Sequence, residues 1–302
     1  MSAPVAPPAT TEAGQLTKET YRGRIHPDWC PGCGDFSVLA ALQTALFELE
    51  MQPHQACVIS GIGCSSNLPG YINTYGMHTL HGRALAVATG VKLGNHELKV
   101  ICTGGDGDGY GIGGNHFVHT MRRNVDLTYI VMDNQIYGLT TGQCSPTSVK
   151  GMKTKSTPYG SVENPINPIP MAIVGGATYV ARAFSGKQRH MVEMFKGAIQ
   201  HQGFALVDVF SPCVTYNKDN TYQWFNPRVK ILDGHDPTDL HKAIERGYQW
   251  GEEIPIGLFW HRTDLPTLEE LEPVLHTGEG PLAFRNLGIS PEQATSLIQE
   301  LL

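Results

Sequence analysis

The chain reads as an α/β protein built on a mainly parallel sheet with helices on both faces, and three observations predict this. Strand-sized apolar runs bounded by glycine and polar residues alternate with segments whose apolar residues recur at helical spacing, the pattern of β-strands joined by crossover helices. The runs 98–103 and 127–132 are mainly apolar, interrupted by Lys99, Thr103 and Thr128, as strands buried on both faces are. With 302 residues, 41% hydrophobic and 17% charged, the chain can bury one large core.

Taken in order, residues 1–20 are rich in Ala, Pro and Thr without periodicity and predict a flexible N-terminal arm. A tight turn at 30–34 leads into a helix over 36–50, whose Phe36, Leu39, Leu42, Ala45, Leu46 and Leu49 fall on one face. A strand over 55–60 ends in Gly61-Ile-Gly-Cys64, and a helix rich in small residues follows over 81–95. Strands at 98–103 and 127–132 flank a helix over 112–123, and a strand at 178–182, a helix at 188–202 and a strand at 205–210 continue the alternation. Residues 140–170 hold Gly, Ser, Thr, Asn and Pro with little apolar content, which predicts a long ordered loop near a site or interface. Beyond Cys213 the composition is mixed. The expected division is an arm over 1–20, a main domain over 21–225 and a C-terminal extension over 226–302, with no internal repeat.

Charge excludes some functions. The formal net charge is −6 and the Lys and Arg residues are dispersed, so nucleic acid is not an expected partner. The apolar runs are strand-sized, well short of the roughly 20 residues of a membrane helix, and the first residues lack a charged segment followed by an apolar one. A soluble, cytoplasmic protein with no membrane partner is expected. Seven cysteines, an odd number without an export signal, point to reduced thiols or metal ligands.

The most telling motif is Gly105-Asp106-Gly107, followed after residues 108–132 by Asp133-Asn134. Each element closes a predicted buried strand, and ligands of open parallel sheets bind at the carboxyl ends of strands. The glycines let the backbone approach a diphosphate, while Asp106, Asn134 and the backbone carbonyl of Ile136 offer hard oxygen ligands to Mg²⁺. This pattern implies thiamine diphosphate, with a helix starting near Gly111 aiming its N–H groups and dipole at the diphosphate. The plain alternative is that Asp106 and Asn134 cap helices or turns, and for Asp108 a turn-capping role weighs as much as a functional one.

Cys30 and Cys33 have a spacing that suits an iron–sulfur cluster, a zinc ion or a redox dithiol. A metal centre needs two further thiolates. Cys64 and Cys213 are loop cysteines after strands at the same sheet edge, Cys144 competes for the fourth place, and Cys57 and Cys102 lie inside apolar strands as core residues. His78, His81 and Arg83 precede a helix and can bind an anionic substrate or move protons. Leu139 is placed to prop a cofactor ring, with simple packing as its alternative. His116 and His119 are expected to make packing or partner contacts.

Together Cys30-Pro-Gly-Cys-Gly-Asp35, Ser60-Gly-Ile-Gly-Cys64, His78-Thr-Leu-His-Gly-Arg83, Gly105-Asp-Gly-Asp108, Asp133-Asn-Gln-Ile-Tyr-Gly-Leu-Thr140 and Ser211-Pro-Cys213 resemble the β subunit of two-subunit 2-oxoacid:ferredoxin oxidoreductases. The resemblance spans about residues 20–225 and extends into the C-terminal extension. It implies a thiamine diphosphate pyrophosphate-binding domain carrying one [4Fe–4S] cluster on Cys30, Cys33, Cys64 and Cys213, so that Cys144 is not a ligand. The implied cofactor site is Gly63, Cys64, Gly105, Asp106, Gly107, Asn134, Ile136, Gly138 and Leu139, with His78, His81, Arg83 and Leu139 as catalytic candidates. The implied reaction is reversible oxidative decarboxylation of a 2-oxoacid, with the acyl group passing to coenzyme A and electrons passing singly through the cluster to ferredoxin. Resemblance to the 2-oxoglutarate members favours 2-oxoglutarate, with pyruvate as the alternative. One half of a thiamine site is present in the pattern. The family therefore implies an α subunit that carries the pyrimidine-binding half and much of the coenzyme A site, in an (αβ)₂ assembly. Outside this class stand a nonoxidative thiamine-dependent lyase or decarboxylase, and a noncatalytic zinc-bearing assembly module.

Overall fold

Parallel pairing of the apolar runs produces one eight-stranded sheet in a computed structural model that describes residues 16–278, 280–286 and 288–300. In chain order the main elements are α1 (Gly34–Glu48), β1 (Ala56–Ser60), β2 (Tyr75–His78), α2 (Ala84–Gly94), β3 (Lys99–Gly105), α3 (Gly114–Arg122), β4 (Leu127–Asp133), α4 (Pro168–Val174), β5 (Tyr179–Phe184), α5 (Gln188–Gln200), β6 (Phe204–Phe210), α6 (Tyr222–Arg228), β7 (Val229–Ile231), α7 (Leu240–Gly247), β8 (Ile254–His261), α8 (Leu268–Leu271) and α9 (Pro291–Gln299). The strand order is β2-β1-β3-β4-β6-β5-β8-β7. Every neighbouring pair is parallel except β5 with β8.

Side chains alternate across the strands, so each contributes to two cores. Ile130 and Met132 of β4 pack with Val38, Leu42 and Leu46 of α1 and Phe195 of α5. Tyr129 and Val131 face the other way, toward Leu85 of α2, Phe117 of α3, Ile169 of α4 and Ala243 of α7. The expected α/β architecture with helices on both faces is what forms. Cys57 and Cys102 are buried in the second core, as expected of strand cysteines.

Four parallel strands end together. Ser60 pairs with Thr103, Gly105 with Met132, and Asp133 with Phe210, which brings the segments after β1, β3, β4 and β6 to one edge of the sheet.

Several elements differ from the sequence expectation. Residues 1–15 of the expected arm lie outside the described residues, but Lys18–Tyr21 forms a 3₁₀ turn whose Tyr21 is buried and donates its hydroxyl to Met51 O at 2.6 Å. The helix expected from residue 81 starts at Ala84, because Gly82 takes φ +69°, a left-handed value that a helix cannot contain. The helical run after Asp106 starts earlier than expected: a π-helical turn, Gly107–Ile112, leads into α3. Strand β2 and helix α4 have no counterpart in the sequence reading. The segment 226–302 begins inside α6 and supplies β7 and β8 to the same sheet. Pro255 and a left-handed Gly257 (φ +137°) interrupt the strand signal of β8, which gives that run its mixed character in the sequence.

Candidate functional site

The shared strand edge carries two adjoining cavities. The first is lined by Gly63, Cys64, Gly105, Asp106, Gly107, Asn134, Ile136, Gly138 and Leu139, together with Ile62, Ser65, His81, Asp108, Tyr137 and Thr140. It thus gathers every residue expected at the cofactor. The second is lined by Cys30, Cys33, Cys64 and Cys213, with Asp28, Trp29, Asp35, Asn67, Asn134, Gly138, Leu139 and residues 214–216. Cys64, Asn134, Gly138 and Leu139 line both, so the wall between the cavities is one short segment and one cysteine.

Around the first cavity the Asp106 carboxyl is buried and its Oδ2 accepts from Thr147 Oγ1 at 2.6 Å. Burial holds its pKa above the usual carboxylate range. Asp133 is buried beside it, and burial followed by the Asp106 charge raises its pKa well above normal. Its Oδ1 accepts from Gln135 N at 3.1 Å and lies 2.8 Å from Thr147 Oγ1, whose one proton goes to Asp106, which makes Asp133 a support for the turn. Asn134 Oδ1 accepts from Ile136 N at 3.0 Å, so the amide and the Ile136 carbonyl belong to one compact arch. Those residues fit a hard divalent cation: one buried carboxylate, one amide oxygen and one carbonyl, with room left for diphosphate oxygens.

The glycines act partly for another reason than expected. A side chain on Gly107 would run into the Tyr137 ring, and one on Gly105 would come within 3.2 Å of Ser65 Oγ. Gly107 therefore makes room for Tyr137, whose hydroxyl returns a hydrogen bond to Gly107 O at 3.1 Å.

Asp108 settles into a definite role. Its buried Oδ1 accepts from Ile62 N at 3.0 Å, Gly82 N at 2.7 Å and His81 Nδ1 at 2.7 Å, joining three loops on one oxygen. With Nδ1 donating to the carboxylate, His81 turns Nε2 away from Asp108 as an acceptor. Asp108→Ala is expected to cost about 2–6 kcal/mol, since two backbone N–H groups lose a buried acceptor at about 1–3 kcal/mol each. Asp108→Asn keeps that acceptor and should recover part of the loss; an unchanged melting temperature for Asp108→Ala would remove Asp108 as the junction.

The expected catalytic group is divided. His81 and Leu139 line the cavity, and Leu139 presents an apolar side chain that is 56% exposed. His78 and Arg83 are exposed and outside its lining. His78 Nδ1 lies 2.9 Å from Ser66 O, and the Arg83 guanidinium reaches only Gly82 O, at 3.5 Å.

At the second cavity, Trp29 Nε1 donates to Cys64 O at 2.7 Å, and Ser211 Oγ donates to Asp35 Oδ1 at 2.7 Å, tying the 30–35 turn to the other two cysteine loops. Burial and then Asp35 push the Cys33 thiol well up and the Cys64 thiol up to about 11, and burial raises Asp35 to about 6. A Cβ on Gly138 would sit 3.6 Å from Cys213 Sγ and 3.7 Å from Cys64 Sγ, so both sulfurs crowd this glycine. Among the described residues no three His, Cys, Asp or Glu side chains close on a single ion. The cysteines instead surround a space of about 270 Å³. Cys144 is elsewhere, with Sγ 3.3 Å from Thr157 Oγ1.

The sequence reading missed Thr147, Trp29, Asp35, Tyr137 and Asn217, whose Nδ2 donates to Asn134 O at 2.9 Å. Asp35, two residues after Cys33, had a signal in its adjacency; Asn217 had none.

Known proteins resemble this chain over most of its length. The family model described as thiamine pyrophosphate enzyme, C-terminal TPP binding domain, matches residues 61–209, and the model for the C-terminal part of the pyruvate ferredoxin oxidoreductase beta subunit matches residues 213–277. The chain is 44% identical over 290 residues to 2-oxoacid:ferredoxin oxidoreductase 1, subunit beta, of Aeropyrum pernix, covering 92% of this chain and 88% of that one. It is 47% identical over 216 residues to the 2-oxoglutarate synthase subunit KorB of Methanocaldococcus jannaschii, covering 72% and 78%. Among solved structures, 2-oxoglutarate:ferredoxin oxidoreductase from Magnetococcus marinus, with 2-oxoglutarate, coenzyme A and succinyl-CoA bound, is similar at a TM-score of 0.85 and 43% identity, over 93% of this chain and 96% of that one.

Proposed function

Since the chain belongs to the family of 2-oxoacid:ferredoxin oxidoreductase β subunits, and so works in a complex with an α subunit, we propose that it carries the thiamine diphosphate and the cluster for oxidative decarboxylation of 2-oxoglutarate. The overall reaction is 2-oxoglutarate, coenzyme A and oxidised ferredoxin giving succinyl-CoA, CO₂ and reduced ferredoxin, in either direction. The observation that carries the reading is the pair of cavities sharing the Asn134–Gly138–Leu139 wall and Cys64. An electron donor and a one-electron acceptor have to be close neighbours, and two cavities with a shared wall would bring them together.

Bound with Mg²⁺, thiamine diphosphate would supply a nucleophile for the keto carbon and an electron sink for the loss of CO₂, and the cluster would accept the electrons one at a time. Asp106, Asn134 and the Ile136 carbonyl would hold the cation. Leu139 would support the cofactor ring, and His81, oriented by Asp108, would serve as acceptor or proton carrier at the cavity wall. Cys30, Cys33, Cys64 and Cys213 would bind the [4Fe–4S] cluster. Four cysteines lining one cavity support a [4Fe–4S] cluster, which takes four thiolates.

Support for a partner on this face comes from Tyr75, Met77 and Leu80, exposed at 58%, 47% and 75% on edge strand β2 and the loop after it. His78 and Arg83 lie along the same stretch, where an anionic substrate held between the subunits could meet them. An (αβ)₂ assembly and ferredoxin as electron partner complete the proposal. Among the described residues no helix is long and apolar enough to cross a membrane.

Similarity to KorB and to the 2-oxoglutarate enzyme supports 2-oxoglutarate, while the family model matching residues 213–277 carries the name of the pyruvate enzyme. The test is the complex of this chain with its α subunit, assayed for coenzyme A-dependent dye reduction with both acids. kcat/KM for 2-oxoglutarate should exceed that for pyruvate by at least about tenfold, about 1.4 kcal/mol of transition-state binding. Equal or reversed values would replace the substrate. Full activity without iron or labile sulfide would replace the reaction class.

A further inference from the structure

Residues 144–149 reach back from the long loop onto the proposed cation site. Ser145, Thr147 and Ser148 are all buried. Thr147 Oγ1 lies 2.6 Å from Asp106 Oδ2 and 2.8 Å from Asp133 Oδ1, and Ser148 Oγ donates to Gln135 O at 2.6 Å while accepting from Ser145 N at 2.8 Å. Gln135 itself takes φ +59°, a left-handed value unfavourable for a residue with a side chain. Such a conformation persists only where its surroundings over-determine it. Here the Asp133 carboxyl holds its N–H and Ser148 holds its carbonyl.

The consequence lies in the carboxylate of Asp106. A free carboxylate can offer a cation one oxygen or both. Ca²⁺ accepts bidentate carboxylates and six to eight oxygens, whereas Mg²⁺ requires a near-ideal octahedron with short bonds. A hydroxyl on Oδ2 takes one lone pair of that oxygen and fixes the plane of the group, which favours Oδ1 as the ligand atom. We propose that Thr147 is a positioning residue that makes Asp106 a one-oxygen ligand and so selects Mg²⁺ over Ca²⁺, with Ser148 holding the Asn134–Ile136 arch that provides the other protein ligands. The inference rests on Asp106 being the cation ligand, and it assigns to the loop a specificity role that neither the motif nor the fold family names. Thr147 is not among the residues lining the first cavity; it acts through Asp106.

The test titrates Mg²⁺ and, separately, Ca²⁺ into the purified αβ complex stripped of metal, with thiamine diphosphate binding as the readout. In Thr147→Val, which keeps the shape and removes the hydroxyl, the Mg²⁺ needed for half-saturation should rise about 10-fold or more, the range found when the partner of a metal ligand is lost. The Ca²⁺ requirement should move much less, so the Mg²⁺/Ca²⁺ preference falls. Thr147→Ser should restore both the affinity and the preference. A Mg²⁺/Ca²⁺ preference unchanged in Thr147→Val, whether both ions weaken together or neither does, overturns the proposal and leaves Thr147 a packing residue. If Thr147→Val does not assemble with its partner, Thr147→Ala is read in the same way. Divalent-independent cofactor binding in the wild type would instead overturn the cation-site reading on which this one stands.

Discussion

Asp106→Ala is expected to abolish thiamine diphosphate binding while leaving the iron and labile sulfide of the complex unchanged. Asp106 is the one acidic side chain among the three proposed cation ligands, and its loss removes the charge that balances Mg²⁺. Affinity for the cofactor at saturating Mg²⁺ should fall by more than about 100-fold, beyond the range for residues that merely support a ligand. A structural role predicts the opposite balance. Asp106 lies buried beside Asp133, and its charge raises the cost of ionising Asp133. Removing one relieves that repulsion, so the melting temperature of the cofactor-free complex should hold or rise. Loss of affinity with stability retained identifies a ligand. Retained affinity in calorimetric titration would refute the assignment, and a protein that melts early and binds nothing would return Asp106 to turn support.

Cys64→Ser and Cys213→Ser should each lose the broad visible absorption of the cluster and the ferredoxin- or dye-linked activity, while Cys144→Ser keeps both. Cys64 and Cys213 face one space across Gly138, and the turn bearing Cys30 and Cys33 is tied to their loops by Trp29 and Asp35. Serine is nearly the size of cysteine, so the loss would reflect ligation more than packing. Cys144 has only weak contacts, to Thr157 Oγ1 and Met152 O, and should tolerate the change. Cofactor binding gives the second readout: Cys213→Ser should retain thiamine diphosphate, because Cys213 lies outside the first cavity. Retained iron in either variant, or its loss in Cys144→Ser, would reassign the ligand. The raised thiols of Cys33 and Cys64 add a condition. These sulfurs must release protons to bind iron, so reconstitution should slow as pH falls.

Much of this is legible in the chain alone, because the signals are local. Mainly apolar runs at 98–103 and 127–132 identify buried parallel strands, and the polar motifs that end them fall at the strand carboxyl ends by necessity of a parallel sheet. The cysteine loops are readable for the same reason. Boundaries are less so: Gly82 moves the start of α2, and Gly107 opens a π-helical turn ahead of α3. Strand β8 is hidden by Pro255 and Gly257, although it pairs with β5 and extends the sheet beyond the expected domain limit.

What the sequence by itself determined is the chemistry available at one sheet edge: Asp106, Asn134, Cys64 and Cys213, each placed after a strand that its own residues specify, and Cys30 and Cys33 in the turn that leads into α1. What only the tertiary structure decided is how those groups are held and which neighbours join them. Thr147 reaches Asp106 from 41 positions away, Asn217 reaches Asn134 from 83, and Ser211 reaches Asp35 from 176. His81 entered the cavity and His78 and Arg83 stayed outside it, though all three share one short segment. A hydrogen bond between side chains so far apart leaves no periodicity in the chain. It exists only after parallel pairing has brought the loops to a common edge, where burial makes every polar group seek a partner.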